Sequence, residues 1–323
     1  MSNAEGREIG PRSEVGQRPD EAGSPRGGRT LNPRLLIWLA AGVMVLYVYV
    51  VVVRPLASRW ILLPAIPVGI ISLTLVFVLF SLAHSLYSVG WLHTLVLFVL
   101  SVTITWGLEQ VGVVTGEIYG GYSYSELLGP KVGQVPALIP LSWFMMLYPS
   151  ILLANCLVED SPIGSRGTLL RVAWVSFISA LIMTARDLVI DPSLSGPAVE
   201  AWVWEQGGPY FGVPSLNFAS WTVTSFLVVF PYRLFERSFP PRSAGPVSRT
   251  DVSLALIMYV VLAVTGMMDS NVPALRVIAP FVVGLPTLVA LSRVWSPGGG
   301  APFRIPAHPR QGAIRKKSEL HRR

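Results

Sequence analysis

The chain has 323 residues, 52% of them hydrophobic and only 13% charged, with a mean hydropathy of +0.55. Soluble domains average about 25% charged residues, so the composition excludes an ordinary soluble fold and points to a polytopic membrane protein. A single cysteine, Cys156, excludes a disulfide framework or a cysteine-built metal site within the monomer.

Residues 1–33 are rich in Gly, Pro, Arg and Glu and carry no apolar periodicity, which reads as a disordered cytoplasmic tail. They lack the short basic start, apolar core and small-residue cleavage site of a signal peptide. Apolar segments then follow at about 34–53, 62–83, 91–108, 137–157, 168–190, 216–233, 251–268 and 273–292, each near the roughly 20 residues needed to cross a bilayer core. The expected fold is therefore an all-α polytopic membrane bundle of about eight transmembrane helices within residues 34–292. A basic cytoplasmic tail, 293–323, closes the chain. The short "GMMDSNVP" link and Pro280 and Pro286 leave a seven-span alternative open, with the last region re-entrant.

Charge placement gives the orientation. With eight spans, twenty of the twenty-five Lys and Arg fall on the side that holds both tails. The positive-inside bias then places both termini in the cytoplasm of a bacterial-type inner membrane. The net charge of +7 sits in tails and one set of loops, and no zinc-finger, RRM or phosphate-loop pattern accompanies it, so nucleic acid is not expected as a partner. Most acids outside the tails behave oppositely: Glu109, Glu117, Glu126, Asp187, Asp191, Glu200, Glu205 and Asp269 fall on the non-cytoplasmic side.

His84 and His93 bracket the loop after span 2, on the cytoplasmic side. Four histidines in the whole chain are too few for a His-rich di-iron site, so neither a metal nor another cofactor is expected.

The loop after span 3, "EIYGGYSYSELLGPKVGQVPALIPLSW", and the end of the loop after span 5, "WEQGGPYFGVPSLNFASW", share an acid, a Gly pair and aromatics. Both close on V-P-x-L-x-x-x-S-W, at Val135–Trp143 and Val213–Trp221. Duplication of spans 3–4 and 5–6, which would frame a site at their interface, and chance in a Gly-, Pro- and Trp-rich sequence both fit five matched positions. Likewise the aromatics fit either an interfacial belt or a pocket.

Span 5 ends in "TARDLVIDPS", where Arg186, Asp187 and Asp191 precede or flank a terminating Pro192. Ionisable residues inside a membrane are functional-site candidates by default, with ion pairing near the membrane surface as the structural alternative for Arg186 and Asp187. A carboxyl withdrawn from water favours its neutral form, which is a proton donor able to protonate an unactivated carbon. Asp187 and Asp191 are four apart and share a helix face if the helix persists that far. Arg186 points about 100° away from Asp187, so its expected partner lies on another segment, with Glu109 the candidate.

"WGLEQVGVVTGEIYGGYSYSELLGP", "VPALIPLSW" and "RDLVIDP…WVWEQGGPYFGVPSLNFASW" resemble the membrane-integral carotenoid biosynthesis family, of the bisanhydrobacterioruberin hydratase and gamma-carotene 1'-hydratase type. The resemblance is good over roughly residues 90–235. It implies a cofactor-independent hydro-lyase that adds water across the terminal double bond of an acyclic carotenoid end group, C40 or C50, giving a tertiary alcohol. Carried over by motif, Glu109, Asp187 and Asp191 are the expected acid and base residues. Tyr122, Tyr124, Trp202, Trp204, Tyr210, Asn217 and Trp221 are expected to shape the substrate pocket. Aromatic faces would stabilise a cation by about 0.5–2 kcal/mol each. The implied partners are the polyene, water and the lipid bilayer, with other carotenoid biosynthesis enzymes as neighbours. The competing readings are another end-group enzyme, such as an isomerase or cyclase, a lipid or solute transporter with the acids as a proton relay, and a scaffold for other carotenoid enzymes.

Overall fold

The computed structural model describes residues 32–63, 68–159, 163–164, 167–269 and 272–296. The expectations for most of both tails, and for Arg166, Asp160 and the side chain of Asp269, lie outside the described residues.

Eight helices are long and apolar enough to cross a membrane: α1 Pro33–Ala57, α2 Ile70–Ser88, α3 Trp91–Thr115, α4 Leu138–Val158, α5 Leu169–Leu194, α6 Ser215–Ser238, α7 Arg249–Met268 and α8 Leu275–Trp295. At about 1.5 Å per residue, even the 19-residue α2 reaches about 28 Å, close to the roughly 30 Å hydrocarbon core. The seven-span alternative does not hold. Pro280 and Pro286 are absorbed by a π-helical stretch, Pro280–Gly284, and by the first turn after it, so α8 continues across both.

Local chemistry sets several helix ends. Asn32 caps α1 by accepting from the Arg34 amide, and Pro33 occupies the first turn, where its missing N–H costs nothing. Before α7, Ser248 and Asp251 form a reciprocal capping box: the Ser248 amide donates to Asp251 and the Asp251 amide donates to Ser248 Oγ.

Two internal prolines leave carbonyls that need other donors. Pro149 in α4 frees the Met145 carbonyl, which accepts from Ser81 Oγ of α2 at 2.9 Å. Pro192 in α5 frees the Leu188 carbonyl, which accepts from Tyr210 Oη at 3.0 Å. The expectation that α5 stops at Pro192 is thereby corrected: the helix runs on to Leu194, since the orphaned acceptor has found a partner. Helix α6 likewise extends past the expected 233 to Ser238, so Arg233 and Glu236 are buried helical residues and not loop residues.

Helix α4 is the centre of the bundle and packs against α2, α3, α5, α7 and α8. It is buried along most of its length, including Phe144, Leu147, Leu153 and Ala154. By contrast α3 exposes Trp91, Leu95, Val99 and Val114, as a helix facing lipid does.

The loops after α3 and α5 join each other. Strand β1, Tyr122–Tyr124, pairs antiparallel with β4, Trp202–Trp204, with Tyr122 opposite Trp204 and Tyr124 opposite Trp202. Between them lies a hairpin of β2, Lys131–Val132, and β3, Val135–Pro136. Its amides and carbonyls are tied to α3, as Gln134 N–H donates to Gln110 and Trp106 Nε1 to the Val132 carbonyl.

Candidate active site

The paired loops close one end of the bundle over a cavity of about 320 Å³. One wall is acidic and aromatic: Glu109, Asp187, Asp191, Asn217, Tyr119, Tyr122, Tyr124, Trp143, Trp202, Trp204 and Trp221. The rest is largely apolar, with Tyr47 of α1, Ile70 and Leu73 of α2, Leu138, Ile139, Met145 and Met146 of α4, and Leu262 of α7. Three carboxyls thus line one side of an otherwise largely apolar cavity.

Each carboxyl is built in from the element that follows it. Glu109, on the last turns of α3, accepts from Tyr122 Oη at 2.5 Å and Tyr124 Oη at 2.7 Å, both on one oxygen, and from Trp143 Nε1 at 3.1 Å on the other. Tyr122 and Tyr124 are two apart in a strand and therefore face the same side. Burial, and after it the Glu109 charge, pushes both phenols up, so they remain donors.

Asp191 repeats the device with indoles. Trp202 and Trp204, again two apart, donate to its Oδ1 at 2.9 and 3.1 Å. Asn217 Nδ2 donates to Oδ2 of Asp191 at 2.8 Å and to Oδ2 of Asp187 at 2.9 Å, bridging the two aspartates. These share one face of α5, as their spacing of four requires. Asp187 Oδ1 is buried and has no hydrogen-bond partner among the described residues. The stacked rings of Trp143 and Trp221, 4.1 Å apart, complete the wall.

Of the expected residues, Glu109, Asp187, Asp191, Tyr122, Tyr124, Trp202, Trp204, Asn217 and Trp221 converge on this cavity. Tyr210 does not line it; its hydroxyl supports the helix at Leu188 instead, next to Pro192. Glu117 is exposed and takes no part.

Arg186 does not pair with Glu109. Its guanidinium is fully buried on another side of α5, between the rings of Phe77 at 5.3 Å and Tyr259 at 5.1 Å, and all three of its nitrogens lack hydrogen-bond partners among the described residues. Glu109 instead accepts from Tyr122, Tyr124 and Trp143.

His84 and His93 lie in the helical turns on either side of the short α2–α3 connection, and both are buried. His84 Nε2 donates to the Asp251 carbonyl at 2.8 Å, which leaves Nδ1 to accept from Tyr148 Oη at 2.6 Å.

Sequence reasoning missed Tyr119, Tyr47, Met145 and Met146. Tyr119 lies one residue beyond the "GEI" that follows α3 and bonds Thr224 Oγ1 of α6 at 3.0 Å. Its position in the aromatic loop was the available signal. The two methionines carry none, since α4 is apolar on every side.

Fold and site together define a polytopic helical protein with an acid-lined, largely apolar cavity at one end. Residues 65–291 match the family described as "Carotenoid biosynthesis protein", and the chain belongs to that family. The match extends well beyond the 90–235 stretch where the motifs lie. A bisanhydrobacterioruberin hydratase of Haloarcula japonica is 32% identical over 136 residues, covering 42% of this chain and 42% of the relative. No solved structure matches.

Proposed function

We propose that the protein is a carotenoid hydratase, adding water to the terminal carbon–carbon double bond of an acyclic carotenoid end group. The observation that carries this reading is the convergence of Glu109, Asp187 and Asp191 on one end of an otherwise apolar cavity, among five indole and phenol rings bonded to them. Family membership and the printed name of the relative support it.

The chemistry follows from the wall. A carboxylic acid delivers a proton to the less substituted alkene carbon. The tertiary cation that forms lies among the faces of Trp143, Trp221, Tyr122 and Trp204, each contributing about 0.5–2 kcal/mol when desolvated. A carboxylate accepts a proton from the attacking water as its oxygen bonds to the cation. A tertiary alcohol results, with no external oxidant or reductant.

An isomerase or cyclase would share the cation. The polar pair Asp191 and Asn217 at the acid wall favours capture by water over loss of a proton or ring closure. The bilayer, with both helix termini Pro33 and Trp295 on the cytoplasmic side of a bacterial-type inner membrane, completes the reading and rests on the distribution of Lys and Arg.

The test is expression in cells that accumulate an acyclic carotene, with pigments read by mass spectrometry. A product heavier by one water supports the reading. Unchanged carotene beside well-folded protein, or a cyclised product of unaltered mass, counts against it.

A further inference from the structure

One shift of 78 residues relates the two halves of the acid wall at several positions. Helices α3, Trp91–Thr115, and α5, Leu169–Leu194, begin 78 positions apart, and the same shift carries Glu109 onto Asp187, Val135 onto Val213 and Trp143 onto Trp221. It also carries backbone conformation. Gly129 (φ 81°) falls on Gly207 (φ 62°), and Gly133 (φ 69°) on Phe211 (φ 51°), although phenylalanine rarely enters that region. The pairing of Val132 with Val135 falls on the bridge between Tyr210 and Val213.

Helix contacts obey the same exchange. Helix α3 packs on α4 and α6, while α5 packs on α6 and α4. Equivalent residues even meet each other, as they must on a two-fold axis: Tyr124 pairs with Trp202 between strands, and Trp143 stacks on Trp221. These matches in conformation and contact are what a repeat of α3–α4 as α5–α6 produces.

The informative positions are those where the symmetry breaks. Asp191 stands where the first half has Val113, and Asn217 where it has Ile139. In the first half both oxygens of Glu109 are occupied by three donors. In the second half the strand indoles bond the added Asp191, so Asp187 keeps only the Asn217 amide on one oxygen. Its Oδ1 is left buried without a donor. A buried carboxylate oxygen with no donor is costly, whereas an O–H at that position is itself a donor and faces no competing one.

We propose that two of the positions at which the halves differ, those that add Asp191 and Asn217, assign the roles: Asp187 is the proton donor, Asp191 with Asn217 is the water-orienting base, and Glu109 is a fixed anion that donates no proton. This rests on the hydration reading above. In the forward step the Asp187 O–H bond breaks as a C–H bond forms at the less substituted alkene carbon, and the π electron pair leaves the tertiary carbon as a cation. Water oxygen then bonds that carbon, and its proton passes to Asp191. Asp187 is now the carboxylate and Asp191 the acid, so one proton transfer between these neighbours on α5 restores the starting state.

Two readouts test this on the purified full-length protein. In the infrared spectrum, the C=O stretch of a neutral carboxylic acid should be present in the wild type, absent in Asp187→Asn, and retained in Glu109→Gln and Asp191→Asn. Asp187→Glu, which keeps an acid at the position, should keep the band and guards against loss through misfolding. A band that survives Asp187→Asn, or that disappears with Glu109→Gln instead, overturns the assignment.

In the pigment assay, Asp187→Asn should lower hydration by about 10²–10⁴-fold, with Asp187→Glu recovering part of it. Activity within tenfold of wild type in Asp187→Asn overturns the assignment while leaving the hydratase reading intact. A wild type that shows the predicted infrared pattern but hydrates no acyclic carotene overturns the hydratase reading and leaves Asp187 as the neutral acid of the site.

Discussion

Two regions of the bundle bury charge, and they do so in opposite ways. At the cavity end, Glu109, Asp187 and Asp191 come from two helices and are held by side chains from strands and other helices. At the other end, Arg233 and Glu236 sit on one helix, three residues apart, 3.8 Å from each other and fully buried. Arg233 also donates to Ser179 Oγ of α5 at 3.0 Å, but its Nε and Nη1 and one Glu236 oxygen have no hydrogen-bond partner among the described residues. None of these residues lines the cavity. Buried charge alone therefore does not mark a site. The acids proposed to do chemistry line an apolar-walled cavity, whereas the Arg233–Glu236 pair fastens α6 to α5.

Changes at the two ends should separate activity from stability. The largest effect belongs to the acid wall. Beyond the Asp187 variants, Asp191→Asn should lower hydration by about 10²-fold or more, with the thermal unfolding midpoint in detergent little changed. At the opposite end, Arg233→Met leaves Glu236 buried and unpaired, a change that costs about 3–5 kcal/mol. It should lower the unfolding midpoint strongly while turnover per folded molecule stays near wild type. Joint replacement by Met and Leu should recover most of that loss, because a buried pair replaced by apolar groups is often neutral or stabilising.

Smaller effects refine the contrast. Trp202→Phe or Trp204→Phe removes one indole N–H from Asp191, a bond to a charged group worth about 1.5–3 kcal/mol. Hydration should fall by about tenfold, read as a lower kcat. Tyr210→Phe leaves the Leu188 carbonyl unpaired beside Pro192, so a stability loss of about 1–3 kcal/mol is expected, with a modest change in activity. The smallest belongs to Tyr148→Phe, which removes the donor to His84 Nδ1 far from the acids and should cost about 1 kcal/mol with no effect on hydration.

Much of this was written in the sequence. Hydropathy located eight crossings to within a few residues at most ends, and the acids and aromatics of two loops were visible as one-sided groups. The spacing of four was enough to place Asp187 with Asp191 on a common face. What was illegible depends on contacts between helices. Arg186 has an acid beside it in sequence, yet it packs between Phe77 and Tyr259, while Glu109 is held by two phenols and an indole. Helix α5 continues through Pro192 only because Tyr210, eighteen residues on, supplies the missing donor. Met145 and Met146 face the cavity from a helix that is apolar all round, so no periodicity singles them out.

The central claim is that water, and not molecular oxygen or a proton alone, is added to the polyene end. It is tested most directly by supplying an acyclic carotene to the purified protein in water labelled with oxygen-18. The account predicts a tertiary alcohol carrying the heavy oxygen, formed equally well without air. An alcohol carrying unlabelled oxygen and formed only in air, or a product of unaltered mass, would contradict it.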